Sequence, residues 1–475
     1  NGWLAYETCN RCSYTTYEET PLAGHIEVID AAVEPTCTAT GLTEGKHCLI
    51  CNEVLVEQKI VEVKHNYKDN VCSECGYNYY TEGLEFTLKN DCYFVTDYDG
   101  TDNNVIIPAI YNNLPVTSIG HSAFRDCSSL ESIIIPDSVT RIDVQAFYGC
   151  SSLENIIIPD SLTYIGYSAF RDCSSLENIT IPDGVTSIGS STFSGCSSLE
   201  SITIPFVGDK KYSATKKHFG HLFGASSYGY HYYDVPSSLK EVIITGGTSI
   251  GNNAFYGCSS LESITIPDSI TSIGESAFNN CSALTNVYYQ GTIEDWCNIS
   301  FRYDTSNPML FAEHFYMLDS NNDYYEVTEI EIPNTITAIR NCQFIGFDNL
   351  TSITIPDSVT SISGGAFKDC SSLESITIPF VGDKINSTTK TYFGYIFGAS
   401  SYSKNFEYVP SSLKEVIITG GTSIGNNAFS GCSSLENITI TDGVTSIGSS
   451  TFYGCSSLES ITIPSSVTSI GSGAF

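Results

Sequence analysis

The stretch Cys127-Ser-Ser-Leu-Glu-Ser-Ile-Ile-Ile-Pro136 returns 23 residues later as Cys150-Ser-Ser-Leu-Glu-Asn-Ile-Ile-Ile-Pro159, and close copies follow along most of the chain. A fixed short period of this kind is the signature of a solenoid. A unit of this length is too small to bury its own apolar side chains, so each unit must stack on its neighbours. The repeat therefore predicts one continuous stack of coils.

The strand pattern of one unit can be read from its isoleucines. Alternation places Ile133 and Ile135 on the inner face of a short strand and Ile134 on the outer face. A turn follows, because proline does not donate to a strand ladder. Val139 and Ile142 then form a second inward pair. We therefore expect two short extended segments in every coil.

The rest of the unit, residues 146–150, returns the chain to the next coil, and we expect a single tight helical turn with Phe147 as the large core residue. Stacking aligns the phenylalanines of successive units in one column and the cysteines in another. In a uniform column every sulfur has two equivalent neighbours, so we interpret the cysteines as buried thiols that pack as small apolar groups. Disulfides between coils are the alternative.

The composition restricts the class of partner. The chain of 475 residues has 53 acidic and 21 basic residues and a formal net charge of -32. Such a charge repels phosphate backbones and anionic lipid, which argues against a nucleic-acid partner. No apolar run approaches the roughly 20 residues needed to span a bilayer. We therefore expect no transmembrane segment in this sequence.

A longer period overlies the short one. The text after Pro205 is repeated after Pro379, 174 residues later, and each copy interrupts the coils with a segment rich in Tyr, Phe, Gly and Ser. Insertions in repeat proteins protrude on one face, where ligands often bind. Alternatively, the aromatic residues pack the insertion onto the solenoid. The candidate ligand-binding residues are Tyr212, His218, Phe219, Tyr228, Tyr230, Tyr232, Tyr233, Tyr392, Phe393, Tyr395 and Tyr402.

A third irregular region lies between the two copies. We expect short helices at residues 292–298 and at residues 307–317, the second with Pro308 in its first turn. Because the repeat pattern resumes after it, we interpret this region as an oversized repeat.

The first part of the chain differs from the rest by its C-x-x-C pairs. Cys37, Cys48, Cys51 and His65 form a set that matches the tetrahedral Cys3His requirement of structural zinc. Cys9, Cys12 and His25 form a second, incomplete set. A disulfide framework and free thiols are the alternatives. Structural zinc in this module is the only cofactor that we expect; no catalytic cofactor is required.

These patterns predict the domain organisation. Residues 1–80 form a small cysteine-rich, zinc-binding module, residues 81–119 cap the solenoid, and residues 120–475 form the solenoid itself. Its insertions lie at about residues 206–236, 285–330 and 380–410. The last residue, Phe475, lies inside a repeat, so we expect a chain that is truncated at its C-terminus, with its signal and anchor outside this sequence.

The motifs also carry a family resemblance. The chain has Ile-Pro-Asp-Ser-Val-Thr-Ser-Ile-Ser at residues 355–363 and Ala-Phe-Lys-Asp-Cys-Ser-Ser-Leu at residues 366–373. Over about residues 84–475 it resembles the BspA-type leucine-rich-repeat bacterial surface proteins. The resemblance implies a β-rich, right-handed leucine-rich-repeat solenoid of 23-residue repeats, with short strands and single helical turns. The N-terminal module is similar to C-x-x-C and Gly-His repeats found beside surface domains.

The resemblance also bears on function. It implies a secreted or cell-surface location and adhesion to proteins or cells, and the family has no shared catalytic residues. We therefore expect a non-enzymatic, adhesin-like binding protein that recognises a protein or glycan on host or neighbouring cells through its solenoid faces and Tyr-rich insertions. The alternative is a structural spacer or assembly scaffold that displays another domain of a longer surface protein.

Overall fold

The structure is a computed structural model that describes residues 26–36, 39–50, 52–62, 67–68, 71–72, 80–211, 218–225 and 234–475. The chain divides into two compact units, Asn1–Tyr80 and Thr81–Phe475. In the described part of the first unit, short strands pair antiparallel. They are Glu27–Asp30, Gly41–Leu42, Gly45–Cys48, Val54–Val56, Ile60–Val61, Tyr67–Lys68 and Val71–Cys72.

The second unit is a β-solenoid whose coils each contribute one strand to a first ladder. Neighbouring strands of this ladder are parallel and pair Ser132 with Asn155 and Ile133 with Ile156, so the register advances by one whole repeat. The strands are Asn104–Ile106, Ser132–Ile134, Asn155–Ile157, Asn178–Thr180, Ser201–Ile204, Glu241–Ile244, Ser263–Ile266, Asn286–Tyr289, His314–Leu318, Glu329–Glu331, Ser352–Thr354, Ser375–Ile378, Glu415–Ile418, Asn437–Ile440 and Ser460–Thr462. Tyr324–Glu326 pairs antiparallel with His314–Leu318.

A second ladder is built from shorter parallel strands. At one end an antiparallel hairpin of Leu84–Lys89 and Cys92–Tyr98 pairs with Leu114–Ile119, which also pairs with Ile110–Tyr111. The remaining strands are Arg141–Ile142, Tyr164–Ile165, Ser187–Ile188, Ser249–Ile250, Ser272–Ile273, Ser300–Phe301, Ala338–Ile339, Ser361–Ile362, Ser423–Ile424, Ser446–Ile447 and Ser469–Ile470.

The predicted inner and outer faces are confirmed. Ile133 and Ile135 are buried, whereas Ile134 between them is 51% exposed. Val139 and Ile142 have no exposed surface. The apolar core therefore lies between the two ladders.

The segment that closes each coil is a hydrogen-bonded turn and not the expected helical turn. Between Asp143 and Cys150 the backbone N–H groups alternate between two kinds of carbonyl acceptor. The N–H groups of Gln145, Phe147 and Gly149 donate to carbonyls of the next coil, at 2.8 to 3.0 Å, and those between them donate to the carbonyl three residues back, at 3.2 to 3.3 Å. In a helix every N–H donates to a carbonyl of the same segment. Here half of the N–H groups donate to the next coil instead, so the turn is not helical and it joins two coils.

This alternation requires a left-handed backbone at two positions of the turn. Gln145 has φ 58° and Gly149 has φ 76°. Glycine, asparagine and aspartate adopt this conformation most readily, and they occupy every position of the second column. The first column is Ser122, Gln145, Ser168, Ser191, Asn253, Ser276, Cys342, Gly365, Asn427 and Ser450; the second is Asp126, Gly149, Asp172, Gly195, Gly257, Asn280, Gly346, Asp369, Gly431 and Gly454.

The phenylalanine column is confirmed. The rings of Phe124, Phe147 and Phe170 stack with centroids 5.2 Å apart and interplanar angles below 10°. Every turn thus delivers one large apolar ring to the same place in the core. Stacked aromatic rings contribute beyond their buried area, so the column is a continuous source of stability.

The cysteine column packs as the sequence predicts. Cys150, Cys173 and Cys196 are buried, and the thiol of each donates to a phenylalanine carbonyl of the preceding coil at 3.1 to 3.2 Å. Burial raises the pKa of Cys196 to about 12. The Cys196 thiol is therefore neutral, and the buried thiols of the column serve as packing groups.

The oversized repeat confirms one predicted helix and contradicts the other. The α-helix Ile293–Asn298 follows Thr292, whose hydroxyl accepts from the Asp295 N–H while the Asp295 carboxylate accepts from the Thr292 N–H. The second prediction is wrong: only Pro308–Leu310 is a 3-10 helix, and His314–Leu318 is a strand. Phe315 and Met317 alternate inward there and continue the first ladder.

The remaining helices of the described residues are short. They are the α-helix Asn405–Tyr408 and the 3-10 helices Phe219–Phe223, Asp304–Ser306, Phe393–Phe397 and Tyr402–Lys404. None of the helices in this part of the chain has the length and apolar character of a membrane span.

The phenylalanine column generates a stability prediction. Phe147→Ala leaves a cavity between two stacked rings and lowers the free energy of unfolding by about 3 to 5 kcal/mol. Ile157→Thr is the control, because Ile157 is 83% exposed and threonine occupies the same column at Thr180; its effect stays within about 0.5 kcal/mol. Urea denaturation followed by circular dichroism measures both. Equal destabilisation by the two substitutions would contradict a core role for the column.

The thiol column generates a reactivity prediction. In the native protein at about pH 8, iodoacetamide leaves Cys173 and Cys196 unmodified, because a buried neutral thiol is a poor nucleophile. Both are modified after unfolding in urea. Mass spectrometry of the peptides measures the extent, with partly exposed Cys92 as the comparison within the chain. Native modification of Cys196 as fast as that of Cys92 would refute its burial, and protection that persists in urea until a reductant is added would show disulfides instead.

Candidate functional site

The second insertion is hydrogen-bonded to the coils on both sides of it. After the strand Ser375–Ile378 the chain turns back, and Lys384 forms a bridge with Ser361. The 3-10 helix Phe393–Phe397 then takes the place of a regular turn. The Phe367 N–H donates to the Ile396 carbonyl and the Phe393 N–H to the Ala428 carbonyl. The insertion therefore continues the hydrogen bonding from the coil before it to the coil after it.

Two phenylalanines of the insertion continue the core column. The Phe393 and Phe397 rings lie 5.4 Å apart, and they contact Phe429 and Phe367 of the neighbouring coils at 4.8 and 6.4 Å. Phe393 has no exposed surface, and neither has Phe219 at the matching position of the first insertion. The prediction that Phe219 and Phe393 contact a ligand is therefore corrected: both rings fill the core.

A buried asparagine fixes the end of the second insertion. Asn405 has no exposed surface; its side-chain oxygen accepts from the Gly394 N–H at 3.0 Å, and its side-chain nitrogen donates to the Ala428 and Ser430 carbonyls at 3.1 Å. A fully satisfied buried amide of this kind holds both backbones in one geometry. The residues beside Asn405 are consequently presented from a fixed base.

Three large aromatic side chains close to Asn405 in the sequence are exposed. Tyr402 is 47% exposed, Phe406 63% and Tyr408 42%. We call Tyr402, Phe406 and Tyr408 the aromatic patch. These three exposed rings follow one another closely in the sequence, and exposed aromatic surface commonly marks a contact site.

Next to the insertion lies an open groove of about 410 Å³. One side is formed by the oversized repeat and the other by the second insertion, with the turns of two coils between them. We call it the glycine-floored groove; its lining residues are Tyr303, Asp304, Asn341, Cys342, Ile345, Gly364, Gly365, Lys368, Tyr395, Gly398 and Ala399.

The floor of the groove depends on the absence of side chains at two positions. A Cβ atom added to Gly364 would stand 3.0 Å from the Tyr395 ring. Gly365 has φ 71°, and its N–H donates to the Tyr395 carbonyl at 3.0 Å. Lys390 donates to the Tyr395 hydroxyl at 3.2 Å and lies 4.6 Å from the ring centroid. Tyr395 is thus held over the floor from two sides.

The charged groups beside the groove are paired with one another. Lys368 lies 3.9 Å from Asp304 and 3.8 Å from Asp369. Burial raises the pKa of the Cys342 thiol to about 11, so this lining residue is neutral. The groove offers aromatic, amide and paired charged groups but no activated nucleophile among its lining residues.

The other predicted ligand-binding residues are distributed unevenly. Tyr395 lines the groove, Tyr392 packs edge-on against it with ring centroids 6.0 Å apart, and Tyr402 belongs to the aromatic patch. His218 of the first insertion is 4% exposed and lies 5.9 Å from the His221 ring. Five predicted residues lie outside the described residues: Tyr212, Tyr228, Tyr230, Tyr232 and Tyr233.

Most of the predicted zinc ligands also lie outside the described part of the chain. Cys48 ends the strand Gly45–Cys48 and is buried. The residues that lie outside are Cys9, Cys12, His25, Cys37, Cys51 and His65. The zinc site of the N-terminal unit stays a prediction.

Sequence reasoning missed Phe406, Tyr408, Tyr303 and the two floor glycines. The duplication contained a signal for Phe406, because the 174-residue offset aligns it with Tyr232, a predicted ligand-binding residue. The duplication contained no signal for the groove, since Tyr303 and Gly364 come from separate repeats.

Comparison with known proteins gives one family. The model described as "BspA type Leucine rich repeat region" matches six copies, over residues 105–214, 228–322, 320–403 and 399–475. No curated protein matches the chain significantly.

Two solved structures illustrate the similarity. A leucine rich cell surface protein from Faecalibacterium prausnitzii is 28% identical, with 81% of this chain and 93% of that chain covered and a TM-score of 0.29. A leucine-rich repeat protein from Bacteroides ovatus is 25% identical, with 84% and 92% covered and a TM-score of 0.32. The family match covers most of the solenoid and confirms the resemblance seen in the repeats, so the chain belongs to the BspA-type leucine-rich-repeat family.

Proposed function

We propose that the chain is a non-enzymatic, adhesin-like binding protein of the cell surface or extracellular space, which holds a protein or glycan of a host or neighbouring cell on the aromatic patch. The observation that carries the proposal is the exposure of Tyr402, Phe406 and Tyr408 on a segment whose Phe393 and Phe397 rings are buried. Aromatic side chains give a large contact area at a low cost in conformational entropy, and they are enriched where proteins bind partners.

The rigidity of the base supports this proposal. Asn405 and the Phe393–Phe397 helix tie the insertion to the coils on both sides. A pre-organised contact surface loses less entropy on binding than a mobile loop does. The same feature argues against deleting the insertion as a test, because the deletion would remove two rings from the core.

The charge of the chain supports a partner that is not a polyanion. A net charge of -32 repels nucleic acid and anionic lipid at long range. The F. prausnitzii relative is described as a cell surface protein, and a surface location of this chain would give the patch access to ligands outside the cell.

The chemistry of the described residues favours binding over catalysis. Cys196 and Cys258 of the cysteine column are buried, and burial raises the pKa of both thiols. His314 is occupied by a hydrogen-bonded cluster with Glu326 and Asn349. Side chains that often serve as nucleophile or base are here used in packing and in joining strands.

The test is a binding screen with a matched set of variants. The whole chain is screened on arrays of host matrix proteins and glycans beside the triple variant Tyr402→Ser, Phe406→Ser and Tyr408→Asp. Aspartate is chosen for the last position because Asp234 stands there in the first copy. We expect the triple variant to weaken the binding of a ligand found for the unchanged chain by about tenfold or more, as for other aromatic contact residues.

The control is Ile157→Thr, an exposed position far along the chain from the insertion. Equal melting curves of all variants exclude loss of fold as the cause. A ligand that binds the triple variant as tightly as the unchanged chain would refute the aromatic patch as its site. A screen without any ligand would favour the spacer or scaffold function instead.

A further inference from the structure

The glycine-floored groove has a chemistry that differs from that of the aromatic patch. It is concave, whereas the patch projects, and its volume of about 410 Å³ falls in the range of small-ligand sites. A folded protein surface cannot enter a space of this size, but one or two rings of a small molecule can.

The groove combines aromatic and polar walls. Tyr303, which is 49% exposed, lies on one side of the groove, and Tyr395 lies on the other. Asp304, Asn341 and Lys368 supply hydrogen-bonding groups around these rings. A ligand that fits must therefore present both flat apolar faces and hydrogen-bonding edges.

The ion pairs beside the groove disfavour a charged ligand. Lys368 is shared by Asp304 and Asp369 at 3.9 and 3.8 Å, so a carboxylate or phosphate on the ligand would meet two acidic groups beside the one lysine. A cationic ligand would have to displace Lys368, which already pairs with both carboxylates. The arrangement therefore offers no free counter-ion to a ligand of either sign.

The backbone of the floor argues against an extended peptide. The Gly365 N–H already donates to the Tyr395 carbonyl, and the Phe367 N–H donates to the Ile396 carbonyl. A peptide that binds by strand addition needs a row of unpaired N–H and C=O groups. These groups of the floor are engaged in the ladder between coils.

We propose that the glycine-floored groove is a binding site for a neutral pyranose, such as a terminal hexose or N-acetylhexosamine of a glycan. The C–H face of a pyranose packs on an aromatic ring through dispersion, and its hydroxyl groups bond the amide and carboxylate on the rim. Beside Gly365, where an added Cβ atom would meet no atom nearer than 3.8 Å, the sugar ring can approach the backbone closely. This inference rests on the proposed binding function and names the chemical class of one ligand.

The chain contains its own control for this site. In the first copy Ser190 and Ser191 occupy the positions of Gly364 and Gly365. Ser191 has φ 58°, close to the 71° of Gly365, so serine is compatible with the backbone there. Gly364→Ser with Gly365→Ser therefore fills the floor with side chains that this fold already accepts, and the serine at 364 displaces the Tyr395 ring.

The experiment measures the binding of neutral sugars to the whole chain by saturation-transfer NMR and titration calorimetry. The probes are glucose, galactose, mannose, N-acetylglucosamine, lactose and chitobiose, with N-acetylneuraminic acid and glucuronic acid as charged comparisons. We expect at least one neutral probe to bind with a Kd on the order of millimolar. The double serine variant and Tyr303→Ser each weaken it by about tenfold or more, while Ile157→Thr leaves it unchanged.

The outcomes separate the groove from the aromatic patch. Absence of binding by every neutral probe at about 20 mM, or equal binding by the double serine variant, would overturn the groove site. Stronger binding of the two acidic sugars would overturn the neutral class. If the aromatic patch variant still binds sugar and the screen finds no macromolecular ligand, the groove site stands and the patch is refuted. If the screen finds a macromolecular ligand that only the patch variant loses, and no sugar binds, the patch stands and the groove site is refuted.

Discussion

The hydrogen bonds of the closing turn are the constraint on which the whole solenoid depends. A coil of 23 residues cannot satisfy its own N–H groups and bury a phenylalanine at the same time. The turn divides its donors between the carbonyls three residues back and the carbonyls of the next coil, and the two left-handed residues make this division possible. Each coil is therefore completed by its neighbour, and the phenylalanine and cysteine columns follow from that register.

The same constraint explains how the insertions are accommodated. The second insertion supplies the hydrogen bonds and rings that the missing turn would have supplied, through Ile396, Phe393 and Phe397. Because the ladder passes through it without interruption, the inserted residues are tied at both ends. The aromatic patch and one wall of the groove lie on this tied segment, which suits the proposed binding because little ordering remains to be done.

The repeats and the irregular segments differ in where they place their side chains. The repeats place cysteine, phenylalanine and isoleucine in columns that pack, and burial keeps thiols such as Cys258 neutral by raising the pKa. The irregular segments carry exposed rings such as Tyr303 and Phe406. The contact sites that we propose therefore lie in the irregular segments.

The sequence by itself determined the repeat, the inward and outward faces of the strands, the phenylalanine and cysteine columns and the helix after Thr292, because each follows from a local period or a local cap. Only the tertiary structure decided the rest. Residues 146–150 form turns because their N–H partners lie in the next coil, which no local rule reveals. Inside an insertion there is no period to tell Phe393, which points into the core, from Phe406, which points out. The groove joins Tyr303, Gly364 and Tyr395 from separate repeats, so it exists only once the coils are stacked.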